Sequence, residues 1–125
     1  MTQNTSKPVY LFLLRDSANL PDPSPEEMQQ ATQKWMAWID RMKSRGQYLG
    51  GDRLEEQPAR IVRGPRGQPN SDGPFIETKE IVGGYMLITA DTFEQAVDIA
   101  KDCPGFEKGW TVEVRQLYPR SPGRP

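Results

Sequence analysis

Apolar side chains in this chain are concentrated in short segments, and the first segment is a continuous apolar run of the length of a strand. Residues 9–14 read VYLFLL and lie between Pro8 and the charged pair Arg15 and Asp16. Successive side chains of a strand point to opposite faces, so both faces of this strand are apolar. The pattern predicts a central strand whose two faces both need cover.

The next segment has the helical period. Ser24, Pro25 and Glu27 have the spacing of a capping box with proline at the first helical position, which predicts a helix start. Gly46 offers a left-handed stop. Between them runs an apolar stripe that we expect to face the sheet, formed by Met28, Ala31, Trp35, Trp38, Ile39 and Met42.

A second, shorter helix is predicted before Pro104. Asp91 and Glu94 are its expected N-terminal cap. Its expected inner face is formed by Phe93, Ala96, Val97 and Ala100.

The remaining apolar segments predict strands at residues 48–53, 81–90 and 110–118, and a small hairpin with its turn at residues 64–67. The pair Gly50-Gly51 predicts a bulge or a close approach between neighbouring backbones, and the pair Gly83-Gly84 predicts close strand packing. In the last strand, Val112 and Val114 share one face. The opposite face carries Thr111, Glu113, Arg115 and Leu117.

This order of elements predicts an α+β fold of the ferredoxin-like βαββαβ type, with an inserted β-hairpin, an antiparallel sheet and both helices on one face. The other face is apolar along two of the main strands. We expect a second copy of the chain to cover it in a two-fold homodimer. We also expect a single domain over residues 8–118, with disordered tails at 1–7 and 119–125.

Composition narrows the chemistry. The 125 residues include no histidine and one cysteine, so the commonest metal ligand and general base are absent, and we expect no metal and no cofactor. Cys103 is expected to be a small buried residue rather than a nucleophile. The sequence has neither a membrane-length apolar run nor a signal-peptide pattern, which predicts a cytoplasmic protein without membrane contact.

Charge is unevenly distributed, although the net charge is only −1. Residues 41–66 are mainly basic and residues 72–107 mainly acidic. Because no recognised nucleic-acid reader motif accompanies the basic stretch, direct nucleic-acid binding is not favoured.

The candidate functional residues are charged, and each also has a structural interpretation. Asp72 is either a turn carboxylate bonded to its own backbone or an acid, base or ligand anchor at a cleft. Arg15, Glu113 and Arg115 are either a salt-bridged surface or, on a sheet face covered by a second copy, a paired functional cluster. Tyr85 completes the predicted ligand-binding set.

Residues 72–85, DGPFIETKEIVGGY, resemble the signature of the YCII-related or DGPF-domain family, and the resemblance extends over roughly residues 9–118. It implies a bacterial protein with a dimeric α+β barrel fold and a pocket near Asp72. In the YCII branch, a His and Asp pair has been proposed as catalytic. This chain has the Asp but no His.

Two functions are therefore predicted as alternatives. One is an enzyme of the lyase or hydrolase type with a small-molecule pocket near the DGPF turn. The other is a non-catalytic ligand-binding or accessory factor. The resemblance links this second function to transcription, through a protein partner, because some relatives occur near or fused to alternative sigma factors.

Overall fold

The computed structural model describes residues 7–17, 23–55, 58–64, 68–69 and 80–119. In chain order the elements are β1 (Val9–Ser17), α1 (Pro25–Ser44), β2 (Tyr48–Arg53), β3 (Val62–Arg63), β4 (Gln68–Pro69), β5 (Glu80–Thr89), α2 (Phe93–Ala100), a 3-10 helix (Pro104–Lys108) and β6 (Thr111–Gln116). None of the helices in these ranges is long and apolar enough to cross a bilayer.

Four strands form one sheet in the order β2-β5-β1-β6, and each neighbouring pair is antiparallel. β3 and β4 pair separately as a short hairpin. This topology confirms the predicted ferredoxin-like α+β fold with its inserted hairpin. Apart from Lys7 and Pro119, the predicted disordered tails lie outside the described residues, as does most of the turn at 64–67.

The core lies between the sheet and the two helices. Tyr10, Phe12 and Leu14 of β1 are buried against Trp38 of α1 and Ile99 of α2. The Trp38 indole Nε1 donates a hydrogen bond to the Ile99 carbonyl oxygen at 3.2 Å, which ties the two helices together. One of the two apolar faces predicted for β1 is thereby covered.

α1 begins where the local sequence predicts. The Glu27 amide donates to the Ser24 hydroxyl and the Ser24 amide donates to the Glu27 carboxylate, so the capping box is complete. The bond from the Ser24 backbone is the main reason that the pKa of Glu27 is lowered. Gly46, with φ of 69°, ends the helix as expected. Met28 is 54% exposed, so the core-facing stripe begins later than predicted.

α2 corrects two expectations. Its cap is the Thr92 hydroxyl, which accepts from the Gln95 amide at 3.0 Å, rather than Asp91 with Glu94. The side-chain oxygen Oε1 of Gln95 in turn accepts a hydrogen bond from the Asp91 amide. Phe93 is 44% exposed, because it lies at the first turn and only leans against the ring of Tyr10. The buried residues of α2 are Ala96, Ile99 and Ala100.

The paired glycines let β2 and β5 approach closely. A Cβ atom at Gly84 would lie 2.9 Å from the Asp52 carbonyl oxygen, and one at Gly51 would collide with the Tyr85 carbonyl oxygen. The pairing of β1 with β5 also shifts by one residue beside Gly83 and Gly84, which is a bulge. Both predictions for the glycine pairs are confirmed.

Candidate functional site

The face of the sheet opposite the helices carries an apolar strip. Because β1 residues alternate, the half-buried Leu11 and Leu13 lie opposite to the buried Tyr10 and Phe12. We call this surface the open face. Within the described part of the chain, no element covers it.

One cross-strand row on the open face brings together residues from all four strands of the sheet. Asp52 pairs with Tyr85, Tyr85 with Leu13, and Leu13 with Glu113. With neighbouring strands about 4.8 Å apart, the row is roughly 14 Å long between its outer backbones. It has a carboxylate at each end, with a phenol and an aliphatic side chain between them.

The β6 end of this row is a cluster of three charges. The Arg15 guanidinium donates to Glu113 Oε1 at 2.8 Å, and Arg115 donates to Glu113 Oε2 at 3.2 Å. The side chains of Arg15 and Glu113 are 32% and 36% exposed, whereas that of Arg115 is 67% exposed. Arg115 therefore has room to contact another molecule while Arg15 is held against the sheet.

Electrostatics determine what this cluster can do. Hydrogen bonds from Arg15 and then from Arg115 lower the pKa of Glu113, so this carboxyl stays ionised at neutral pH. An ionised carboxylate accepts hydrogen bonds but has no proton to donate. Two guanidinium groups against one carboxylate leave a surplus positive charge. The cluster suits binding of an anion better than general acid catalysis.

The structure places three of the predicted ligand-binding residues in contact: Arg15, Glu113 and Arg115. Tyr85 shares their face and occupies the same row, one strand further from Glu113 than Leu13. Asp72, the candidate catalytic residue, lies outside the described residues, so its role stays a prediction.

Asp52 is a member of the row that the sequence analysis missed. Only the pairing of β2 with β5 brings it opposite Tyr85. The only hint of its position in the sequence was that Asp52 follows Gly50 by two residues, so in an extended strand the two residues lie on the same face of the sheet.

Other chemistry is weakly represented in the described residues. Cys103 is buried, and burial raises the pKa of its thiol to about 11, so it stays protonated and is a poor nucleophile at neutral pH. Within the ranges described above, no group of three Asp, Glu or Cys side chains is placed to hold a metal ion.

Known proteins similar to this chain identify its family but do not identify a reaction. One solved structure similar to this chain is 5-chloro-2-hydroxyhydroquinone dehydrochlorinase from Burkholderia phenoliruptrix AC1100, in complex with 2,5-dihydroxybenzoquinone. It is 13% identical, the match covers 86% of this chain and 93% of that chain, and the TM-score is 0.43. No curated protein matches the sequence.

The family is identified by a match over nearly the whole described fold. The profile of the YCII-related domain matches residues 9–119, from the first residue of β1 to beyond the end of β6. The chain belongs to the YCII-related domain family.

Proposed function

We propose that this protein is a homodimer that binds a small organic anion on the open face of its sheet. The observation that carries the proposal is the contact of Glu113 with both Arg15 and Arg115 beside Leu13. The site around Glu113 therefore combines one surplus guanidinium group with an apolar surface. The ligand that fits has an anionic group and an apolar body.

The apolar strip supports a dimer. Leu11, Leu13, Tyr85 and Leu87 are neighbours on adjacent strands of the open face. A second copy related by a two-fold axis would present the same strip to them, which is the self-complementary arrangement of most homodimers. The cluster would then lie at the edge of the buried surface, where reduced access to water strengthens its attraction for an anion.

Catalysis of the lyase or hydrolase type needs a group that transfers a proton at neutral pH. Glu113 is unsuitable as a general acid because its pKa is lowered. Asp72 remains the candidate for that role. We therefore propose ligand binding as the basic function of the open face, and catalysis as a further step that depends on Asp72.

The experiment for binding uses benzoate as the probe and benzamide, which has the same ring without the charge, as its control. Arg15→Gln removes the surplus positive charge, so we expect benzoate affinity to fall by roughly tenfold or more. Lys101→Gln removes an equal charge from the helix side, where Lys101 pairs with Asp98, and should leave affinity unchanged. Equal binding of benzoate and benzamide would contradict the proposal.

The experiment for the dimer is sedimentation velocity of the wild type and two charged variants. Leu13→Glu places a charge in the middle of the apolar strip and should give a monomer, because burying an unpaired charge is costly. Met36→Glu is the matched control, because Met36 is 53% exposed on α1. A wild-type monomer at micromolar concentration, or an unchanged dimer in Leu13→Glu, would refute this mode of association.

A further inference from the structure

The outer side of β6 is an edge of the sheet. In the part of the chain that the structure describes, β6 pairs with β1 and with no strand on its other side. Just after β6, the Leu117 amide donates to the Val9 carbonyl oxygen at 2.9 Å, so the odd-numbered residues of β6 bond inward to β1. The outward N–H and C=O groups are those of Val112, Val114 and Gln116. We call this row of backbone groups the β6 edge.

The charges of β6 are symmetric about Val114. Glu113 precedes it and Arg115 follows it, and both lie on the open face. If Val114 faces Val114 of a second, antiparallel copy, Glu113 of each copy lies opposite Arg115 of the other. Opposite charges stabilise a strand pair in this position, and like charges destabilise it. Moving the two-fold axis by one residue brings Glu113 against Glu113 or Arg115 against Arg115, so the register centred on Val114 is favoured.

The backbone of the β6 edge fits the same register. Val114 faces itself and Val112 faces Gln116, and these are the residues whose groups point outward. Each facing pair can therefore exchange two backbone hydrogen bonds. Charged residues commonly protect an edge strand from pairing. In β6 the two charges have opposite signs and equal distances from Val114, so in this register they favour pairing.

Arg115 is placed to change partners. Within one chain it contacts Glu113 at 3.2 Å, and its side chain is 67% exposed. Residues two apart on one strand are about 6.8 Å apart, whereas facing residues of a non-hydrogen-bonded pair have Cα atoms about 4.5 Å apart. The second copy therefore offers the Arg115 guanidinium a Glu113 carboxylate on a nearer backbone.

The helix above this edge has an apolar flank on the same side. α2 packs on β6 and β1, and Gln95 and Ile99 line its side toward α1. Val97 is two positions before Ile99, which is 200° around the helix, and Phe93 is one turn before Val97. Both apolar residues therefore lie on the flank away from α1. Phe93 is 44% exposed and Val97 is half-buried, so this flank is incompletely covered.

We propose that two copies of the chain pair through β6 in the two-fold antiparallel register centred on Val114, which joins their four-stranded sheets into one continuous sheet. Because α2 lies over β6 and β1, the two α2 helices then lie about 10 Å apart, at the upper end of the usual distance between packed helices. Their flanks of Phe93 and Val97 face each other and lose contact with water. Opposite charges, outward backbone groups and an apolar flank thus all favour one occupant, a second copy of the same edge.

This contact does not depend on the proposed open-face dimer, and combining the two contacts gives a tetramer with two kinds of two-fold axis. Two short strands and two helix flanks form a small interface, which is typical of weak association. We therefore expect a dissociation constant of roughly 100 µM.

The experiment is sedimentation equilibrium from about 10 µM to about 1 mM in a Leu87→Glu background. Leu87 lies on the open face in β5, two strands from β6, so a glutamate there opposes face-to-face association and leaves the β6 edge intact. We expect this variant to be a monomer at the lowest concentration and mainly a dimer at the highest. A monomer at every concentration would overturn the proposal. Failure of the open-face dimer alone would appear instead as equal masses of wild type and Leu87→Glu throughout the series.

Charge exchange tests the register in the same background. Arg115→Glu places glutamates opposite one another and Glu113→Arg places arginines opposite one another, so each should weaken self-association by roughly tenfold or more. An equimolar mixture of the two variants restores opposite charges at both positions and should associate at least as tightly as the parent. Undiminished self-association of Arg115→Glu, or a mixture that stays monomeric, would overturn the proposal.

The helix flank is tested by Val97→Glu, again with Leu87→Glu. It brings two carboxylates together near the two-fold axis and should weaken association by roughly tenfold or more. Met36→Glu is the matched control, because it adds the same charge to α1, where Met36 is 53% exposed, and it should leave the dissociation constant unchanged. Circular dichroism of each variant checks that it is folded. Equal weakening by both substitutions would overturn the proposal, because it would indicate a general effect of negative charge.

Discussion

Trp38 is a large, fully buried side chain of α1 that contacts both the sheet and α2. It is 1% exposed, stacks on Phe12 with ring centroids 6.4 Å apart, and meets Trp35 edge to face at 5.5 Å. Truncation to alanine removes the whole indole from a closed core. Large aromatic-to-alanine changes of this kind cost about 3–5 kcal/mol of unfolding free energy.

A second variant separates the hydrogen bond from the packing. Trp38→Phe keeps an aromatic ring but removes the Nε1 donor to the Ile99 carbonyl. That carbonyl still accepts from the Asp102 amide at 3.2 Å, so it is not left without a partner. We therefore expect a cost of about 1–2 kcal/mol for Trp38→Phe, from the lost bond and the smaller ring together.

The assay is urea denaturation followed by far-ultraviolet circular dichroism, with protein concentration held constant so that dimerisation does not confound the comparison. Met28→Ala is the matched control, because Met28 lies on the same helix but is 54% exposed, and it should change stability by less than about 0.5 kcal/mol. If Trp38→Ala costs no more than Met28→Ala, the assignment of the core is wrong. If Trp38→Phe costs as much as Trp38→Ala, the hydrogen bond matters more than the packing.

Other variants test single contacts by denaturation or by titration. Ser24→Ala removes the cap of α1 and should cost about 1 kcal/mol of unfolding free energy. Gly84→Ala should destabilise the protein by about 1–3 kcal/mol, because its Cβ would press on the Asp52 carbonyl, whereas Gly64→Ala has open space and should be milder. Hydrogen bonds lower the pKa of Glu113 in the folded state. The ionised Glu113 carboxylate therefore stabilises the fold above its unfolded pKa, and this stabilisation is lost as the pH falls through the folded pKa. The difference in unfolding free energy between wild type and Glu113→Gln should shrink between neutral pH and about pH 3. Asp72→Asn keeps a capping oxygen while removing the charge, so it should melt normally and bind benzoate at least as tightly as the wild type; early melting would mean that Asp72 shapes its turn.

The sequence by itself determined the elements whose signals are local. The Ser24 capping box and Gly46 predicted both ends of α1, because caps and left-handed stops involve only residues within a few positions of the helix end. The two apolar faces of β1 and the alternation of β6 were equally readable, since the direction of a strand side chain follows from its position. The ferredoxin-like order of elements followed from these assignments.

The degree of burial was decided only by the tertiary structure. Phe93 and Met28 have the right period for an inner face, yet both are about half exposed, because each lies in the first turn of its helix, where few neighbours reach it. Thr92 rather than Asp91 caps α2, because it is the residue whose backbone is extended at the position where its hydroxyl accepts from the Gln95 amide, and the sequence offers both residues as caps. The period of apolar residues predicts which way a side chain points but not how deeply it is buried.

The candidate site shows most clearly which features come from the local sequence and which come from the tertiary structure. The alternation of β6 predicted that Glu113 and Arg115 share a face, because they are two residues apart. That Arg15 reaches Glu113, 98 positions along the chain, and that Asp52 faces Tyr85 depend on the register of the sheet. Register is set by side-chain packing across strands and by bulges such as the one at Gly83 and Gly84, so the residues of the row became neighbours only when the whole sheet assembled.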